Sequence, residues 1–180
     1  MFNIPDMNGL LQLTLLDEIA LQSQIAIRAF ERLNLAIENY DNIEIWGAIQ
    51  SILVSSGNIS KILWPNKKYR LRGKQLREHL QIEDNNILGS RVFRNNFEHF
   101  DERVEEKFND SPTGLYIDRQ MNPSLNHIFD DRDPICQRGY NTFDHTLFFN
   151  GDVLDIKQVI KSIEEIKEYF KAHKLTLFWQ

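Results

Sequence analysis

Hydrophobic residues recur every three or four positions over long stretches of the chain. From Leu13 to Tyr40 the positions Leu16, Ile19, Ala20, Ser23, Ile27, Phe30 and Ile37 follow the spacing of a buried helical stripe. A second stripe, Ile45, Ile49, Ile52, Leu53, Ile59 and Leu63, stops before Pro65, whose ring disfavours helical geometry at Trp64. Two antiparallel helices joined by a short turn follow. A short helix is predicted over Gln75 to Gln81 and a longer one over Ile87 to Phe108, with Phe93, Phe97, Phe100, Val104 and Phe108 within about a third of its circumference.

The pattern then changes. Residues 109 to 141 hold three of the five prolines, several aspartates and no sustained period, so they read as an irregular segment. Asn150-Gly151 lies between Thr146-Leu147-Phe148-Phe149 and Asp152-Val153-Leu154, which predicts a β-hairpin with a tight turn. Ile156, Val159, Ile160, Ile163, Ile166 and Phe170 mark a last helix, with Asp155 as its cap. The expected fold is mainly α: one domain, 1 to 180, an antiparallel bundle of four to five helices with a minor hairpin before the last helix.

Composition narrows the function classes. With 180 residues, 42% hydrophobic and 26% charged, the chain is long enough and apolar enough for a packed core. No apolar run approaches the roughly 20 residues of a membrane span. Met1 to Leu16 lacks the basic start and cleavage site of a signal peptide, so a cytoplasmic protein without membrane contact is expected. A single cysteine, Cys136, excludes an internal disulfide and a Cys-x-x-Cys metal site, and no Gly-rich phosphate loop is present. Asp130, Asp131 and Asp133 near His127 lack the Gly and Glu of a calcium loop and read as turn residues. Neither a metal nor a cofactor is expected.

The formal charge of -5 argues against coating nucleic acid through bulk charge. Its distribution is uneven, however. Between Glu44 and Glu78 no acidic residue occurs, while Lys61, Lys67, Lys68, Arg70, Arg72, Lys74 and Arg77 crowd one strip. Such a strip can track phosphates, with Trp64 and Tyr69 offered to stack on bases, or it can be a solvated face paired with acids such as Glu102, Glu105 and Glu106.

Five histidines, His79, His99, His127, His145 and His173, are formal candidates for proton transfer. The run Arg94-Asn95-Asn96-Phe97-Glu98-His99-Phe100-Asp101-Glu102-Arg103 differs from the rest in the density of its polar groups. On a continuous helix Asn95, His99 and Arg103 align at four-residue intervals, and Arg94 lies about 140° from His99. Leu88 and Val92 extend that line upward. An apolar stripe ending in polar groups, opposite the phenylalanine stripe, suggests a face for a second copy of the chain. Cys136 with His145 and Asp144 is a weaker nucleophile set, lacking an elbow motif.

Through Arg94, Asn95 and His99, an R-N-x-x-x-H pattern late in a helical bundle, the sequence resembles the HEPN superfamily. The looser Arg-to-His spacing also occurs at Arg72 and His79 and at Arg138 and His145, without the polar residue directly after Arg. The resemblance implies a metal-independent endoribonuclease in which the ribose 2′-hydroxyl attacks the neighbouring phosphate and leaves a 2′,3′-cyclic phosphate. His99 would be the general acid or base, Arg94 the phosphate clamp and Asn95 the residue orienting both. Lys67, Lys68, Arg70, Arg72 and Arg103 are the candidate RNA-binding cations. The resemblance further implies a homodimer, here through Leu88, Val92, Asn95 and His99, and an antitoxin or regulatory protein in a toxin-antitoxin or antiviral setting. The alternative is a non-catalytic helical module that dimerises or binds a protein or nucleotide.

Overall fold

Asn8 opens the first helix by accepting hydrogen bonds at Oδ1 from the amides of Leu10 (2.9 Å) and Leu11 (3.3 Å), two donors that a helix start leaves unmatched. The computed structural model describes residues 7–90, 92–110, 116–123, 135–149 and 151–173, apart from a few side chains within them. Helix α1 spans Gly9–Glu38, and α2 spans Asn42–Leu63 with Asp41 accepting from the Glu44 amide at 3.0 Å. Between them Tyr40 turns the chain with φ 55°. The two run antiparallel, because Asn58 bonds to Gln22 at 3.3 Å while Arg32 bonds to Ser51 at 3.2 Å and pairs with Glu44 at 3.3 Å.

The buried face of α1 carries Leu16, Ile19, Ala20 and Ser23, as the spacing predicts, then Ala26, Ala29, Leu33 and Ala36. Ile27, Phe30 and Ile37 are only half-buried. Small alanine side chains take the inner positions, which lets Ile45, Ile49, Ile52 and Ile59 of α2 fill the core.

At its end α2 stops where Pro65 requires, with Trp64 at φ -121° and ψ 64°. A single 3₁₀ turn, Lys67–Tyr69, leads into α3, Arg70–His79, which starts five residues earlier than its apolar pattern suggested. Gly73 makes this turn feasible: a Cβ there would lie 2.3 Å from Pro65 Cδ and 2.6 Å from the Leu63 carbonyl oxygen.

The chain forms two compact units, Met1–Ser90 with Val159–Gln180, and Arg91–Gln158. The second unit holds helices α4, Val92–Glu98, and α5, Phe100–Asp110. Its strands are β1 Tyr116–Ile117, β2 Gln120–Met121, β3 Ile135–Cys136, β4 Arg138–Asn141, β5 Thr146–Phe149 and β6 Asp152–Asp155. β1 pairs with β3 in parallel; the larger sheet has the order β2-β4-β5-β6, with β2 parallel to β4 and the rest antiparallel. The hairpin β5-β6 matches its prediction, since Phe149 faces Asp152 across the two-residue turn and Gly151 adopts φ 85°. Helix α6, Ile156–His173, follows with Asp155 capping the Gln158 amide at 3.0 Å. Mainly α with a small sheet before the last helix is therefore the observed class.

Two expectations change. Residues 109 to 141 are not wholly irregular: β4 runs through Arg138–Asn141 and supplies the neighbour that pairs with β5. The helix predicted over Ile87 to Phe108 is instead a 3₁₀ turn, Ile87–Gly89, and the two helices α4 and α5, with His99 at the break. Ser90 is extended at ψ 132°, so the helical path cannot run from Leu88 to Val92. Among the described residues no helix is long and apolar enough to cross a membrane.

Candidate functional site

His99 sits between α4 and α5, where the helical hydrogen bonds continue: its amide bonds to the Asn95 carbonyl at 3.0 Å and the Arg103 amide to the His99 carbonyl at 3.1 Å. Asn95, His99 and Arg103 thus keep their four-residue alignment across the break. The His99 side chain is half-exposed, and its Nδ1 lies 3.2 Å from Glu102 Oε1. With Nδ1–H donating to that carboxylate, the Nε2 lone pair is left to accept a proton. Glu102 was not among the predicted site residues; the signal for it is its place three residues after His99, one turn along the same face.

Around this imidazole, Asn95 is exposed and its neighbour Asn96 is buried, donating to Asp152 Oδ2 at 2.9 Å and tying α4 to β6. Arg103 pairs with Glu106 at 2.6 Å rather than pointing out unengaged. The side chain of Arg94 lies outside the described residues, as does that of Phe93. The phenylalanine stripe packs less deeply than a core face: Phe97, Phe100 and Val104 are half-buried and Phe108 is exposed. Phe100 meets Phe149 edge-on at 6.2 Å and the Arg138 guanidinium at 4.2 Å, and Phe108 meets Tyr116 at 5.2 Å.

The proposed dimer stripe is corrected at its upper end. Leu88 is 3% exposed and belongs to the first unit's core, whereas Val92, Asn95 and His99 are exposed and belong to the second. A face on this helix can therefore include Val92, Asn95 and His99 but not Leu88.

The basic strip, in the first unit, divides into two roles. Arg77 donates to the Leu63 carbonyl, pairs with Asp84 at 2.7 Å and lies 5.2 Å over the Trp64 ring. Arg72 reaches the Ile62 carbonyl at 3.5 Å and lies 5.0 Å over the Tyr69 ring. Both arginines thus complete the last turn of α2, where carbonyls lack helical partners and the helix dipole favours cations. Lys74 pairs with Glu78 at 3.5 Å, and Lys67, Lys68 and Arg70 are exposed. Trp64 is half-buried, with the backbone of Gly89 closely packed against its ring, so it is not open to stack on a base. Within the first unit, Glu78 and Asp84 are acidic partners of this strip.

The two looser Arg-to-His spacings are accounted for structurally. Arg72 serves the α2 terminus as above, and Arg138 forms a forked pair with Asp118 at 2.8 and 2.5 Å. His145 accepts at Nδ1 from the buried Tyr140 hydroxyl at 2.6 Å. Burial lowers the His145 pKa, with Lys157 adding to this and Asp144 and Asp155 opposing it. Burial and then Asp144 raise the Tyr140 phenol well above its usual range. This pair locks the β4–β5 turn, in which His145 adopts φ 62°. The Cys136 side chain, His127 and the aspartates at 130, 131 and 133 lie outside the described residues; among the described ones no cluster of His, Cys, Asp and Glu could hold a metal. No known protein family, curated protein or solved structure matches the chain.

Proposed function

We propose that the chain is a metal-independent endoribonuclease whose reacting groups are His99 and Arg94. The observation that carries this reading is the half-exposed His99, held by Glu102 through one ring nitrogen and aligned with Asn95 by the helical hydrogen bonds. In the proposed reaction Nε2 of His99 takes the proton of a ribose 2′-hydroxyl. The freed oxygen attacks the adjacent phosphorus, the bond to the 5′-oxygen breaks, that oxygen takes a proton from water as it leaves, and His99 returns its own proton to solvent. Arg94, five residues before His99, holds the phosphate oxygens through its forked donors and offsets their charge. Lys67, Lys68 and Arg70 supply general attraction for the RNA backbone, and a second copy pairing through Val92 and Asn95 would bring two such imidazoles together.

RNA incubated with the purified protein in EDTA should yield 2′,3′-cyclic phosphate ends. His99→Ala should lower the rate by about 100- to 10,000-fold, the usual contribution of a positioned proton-transfer group. Intact RNA in all cases, or equal cleavage by parent, His99→Ala and Arg94→Ala, overturns the reading. A second reading, a non-catalytic module for a protein or nucleotide partner, is favoured by the His99–Glu102 and Arg103–Glu106 pairs, since a solvated helix face shows the same i,i+3 pairing. Under that reading, an antitoxin or other regulator binds the face and no RNA is cut.

A further inference from the structure

The two ends of α2 carry opposite charge, and both expose apolar side chains. At its start, the turn from α1 has the hydrogen bonds of a helix end that usually falls on glycine: the Asp41 amide bonds to the Ala36 carbonyl at 2.9 Å and the Tyr40 amide to the Ile37 carbonyl at 3.2 Å. Here Tyr40 holds the left-handed position, at φ 55°, and is 89% exposed. A tyrosine there carries backbone strain that glycine would not, and its ring is offered almost whole to solvent. Ile43, 87% exposed, follows in the first turn of α2, and exposed Leu35 precedes it in the last turns of α1. Glu31, Glu38 and Asp41 are exposed around them and form no ion pair among the described residues.

Beyond the other end of α2 the signs reverse. Lys67, Lys68 and Arg70 are exposed, likewise without an ion pair among the described residues, and Tyr69 and Leu71 lie exposed among them, Leu71 at 65%. The 22 residues of α2 hold these two surfaces about 33 Å apart, so they cannot meet within one molecule. Exposed apolar residues ringed by charge mark a surface for a partner, and tyrosine is among the residues that anchor such contacts. The chain itself carries the surface that matches each end. An anionic membrane or nucleic acid would be repelled by the acidic turn, leaving Tyr40 and Ile43 uncovered.

We infer that the acidic turn of one copy docks on the basic end of a second, with Tyr40 and Ile43 against Tyr69 and Leu71, and Glu38 and Asp41 facing Lys67, Lys68 and Arg70. Because the two surfaces differ, the contact is head-to-tail, and a pair still has one free surface of each kind to extend from. It is separate from the proposed pairing through Val92 and Asn95, which joins like to like. It is also independent of the nuclease reading, since neither His99 nor Arg94 takes part.

Sedimentation velocity of the full chain tests this. The average sedimentation coefficient should climb with concentration past that of a pair and fall back as salt screens the charges. Ile43→Lys sets a cation against the basic end and Leu71→Gln removes its apolar contact, so each alone should weaken self-association by about tenfold or more. Mixed in equal amounts, the two variants should form pairs and nothing larger, because one retains a working basic end and the other a working acidic turn. Tyr40→Gly should weaken association while raising the denaturation midpoint, so that its loss of assembly is not a loss of folding. A parent chain whose mass does not rise with concentration overturns the inference. So does assembly that is unchanged in Ile43→Lys and Leu71→Gln, or a mixture of the two that stays monomeric.

Discussion

The α1/α2 hairpin and the second unit are built by different rules. In the hairpin, burial follows local spacing: Leu16, Ile19, Ala20 and Ser23 face inward because helical geometry places them on one side, and Ile45, Ile49 and Ile52 answer them. In the second unit, order depends on partners far along the chain. Arg138 is held by Asp118, Asn96 by Asp152 and Phe100 by Phe149, over separations of 20, 56 and 49 residues. α5 has no fully buried residue at all. Local pattern therefore fixes the first region, and long-range pairing the second.

That contrast is sharpened most strongly by cutting the core of each. Ile52 is 0% exposed, so Ile52→Ala should cost about 2 to 5 kcal/mol through lost burial and the cavity left behind. Phe108, 47% exposed, should cost well under half as much when cut to Ala, despite losing more atoms. Urea unfolding followed by tryptophan fluorescence measures the first, because Trp46 and Trp64 lie in that unit; circular dichroism follows the second. Similar losses for both would mean that α5 is as deeply integrated as α2, and the distinction would fail.

The same division explains what the sequence disclosed. The two long helices, the stop at Pro65, the Asn150-Gly151 hairpin and the Asp155 cap were legible because each rests on neighbours a few residues apart. The inner face of α1 was legible only in its first half: Ala26, Ala29 and Ala36 carry little hydrophobic signal, yet their small size is what admits α2. The strands β2 and β4 escaped notice because strands of two and four residues, paired with each other across about nineteen residues, leave no period to read. For the candidate site, the alignment of Asn95, His99 and Arg103 was visible, whereas the role of Glu102 and the burial of Leu88 depended on where the helix breaks. The strip at Lys61 to Arg77 looked uniform in sequence and proved to be of two kinds, because Arg72 and Arg77 find carbonyls at the end of a helix ten or more residues earlier.

A middle-sized effect comes from two glycines of the first unit. At Gly73 an added Cβ would collide with the Pro65 ring and the Leu63 carbonyl, both fixed by the chain's turn, so Gly73→Ala should destabilise by about 1 to 3 kcal/mol. At Gly47, within α2, the nearest atom to such a Cβ is a Glu44 carboxylate oxygen at 3.8 Å. Gly47→Ala should therefore stabilise by about 0.5 to 1 kcal/mol, through reduced freedom of the unfolded chain. Opposite signs in denaturant midpoints are the expected outcome; two losses of equal size would show that local helix preference does not govern this hairpin.

The smallest effect is a pH dependence, and it comes from one histidine in each unit. Burial lowers the pKa of His79, with His173 adding to the shift, and burial likewise lowers that of His145. The unfolded imidazoles titrate near 6.5, so below that pH the unfolded chain takes up protons before the folded one does. Stability should hold above about pH 6.5 and fall as the pH drops towards the folded values. Tyr140 acts at the other end: its phenol is raised above 10.0, so the unfolded chain loses this proton first and stability should fall above about pH 10. His145→Asn isolates the second unit's share, because Asn accepts the φ of 62° at this position while removing the titrating ring. Denaturant midpoints against pH should then show a shallower acid limb, with the His79 part retained. An acid limb unchanged in His145→Asn would mean that the Tyr140–His145 pair does not resist protonation, and the buried turn of the sheet would contribute nothing to the acid sensitivity of the fold.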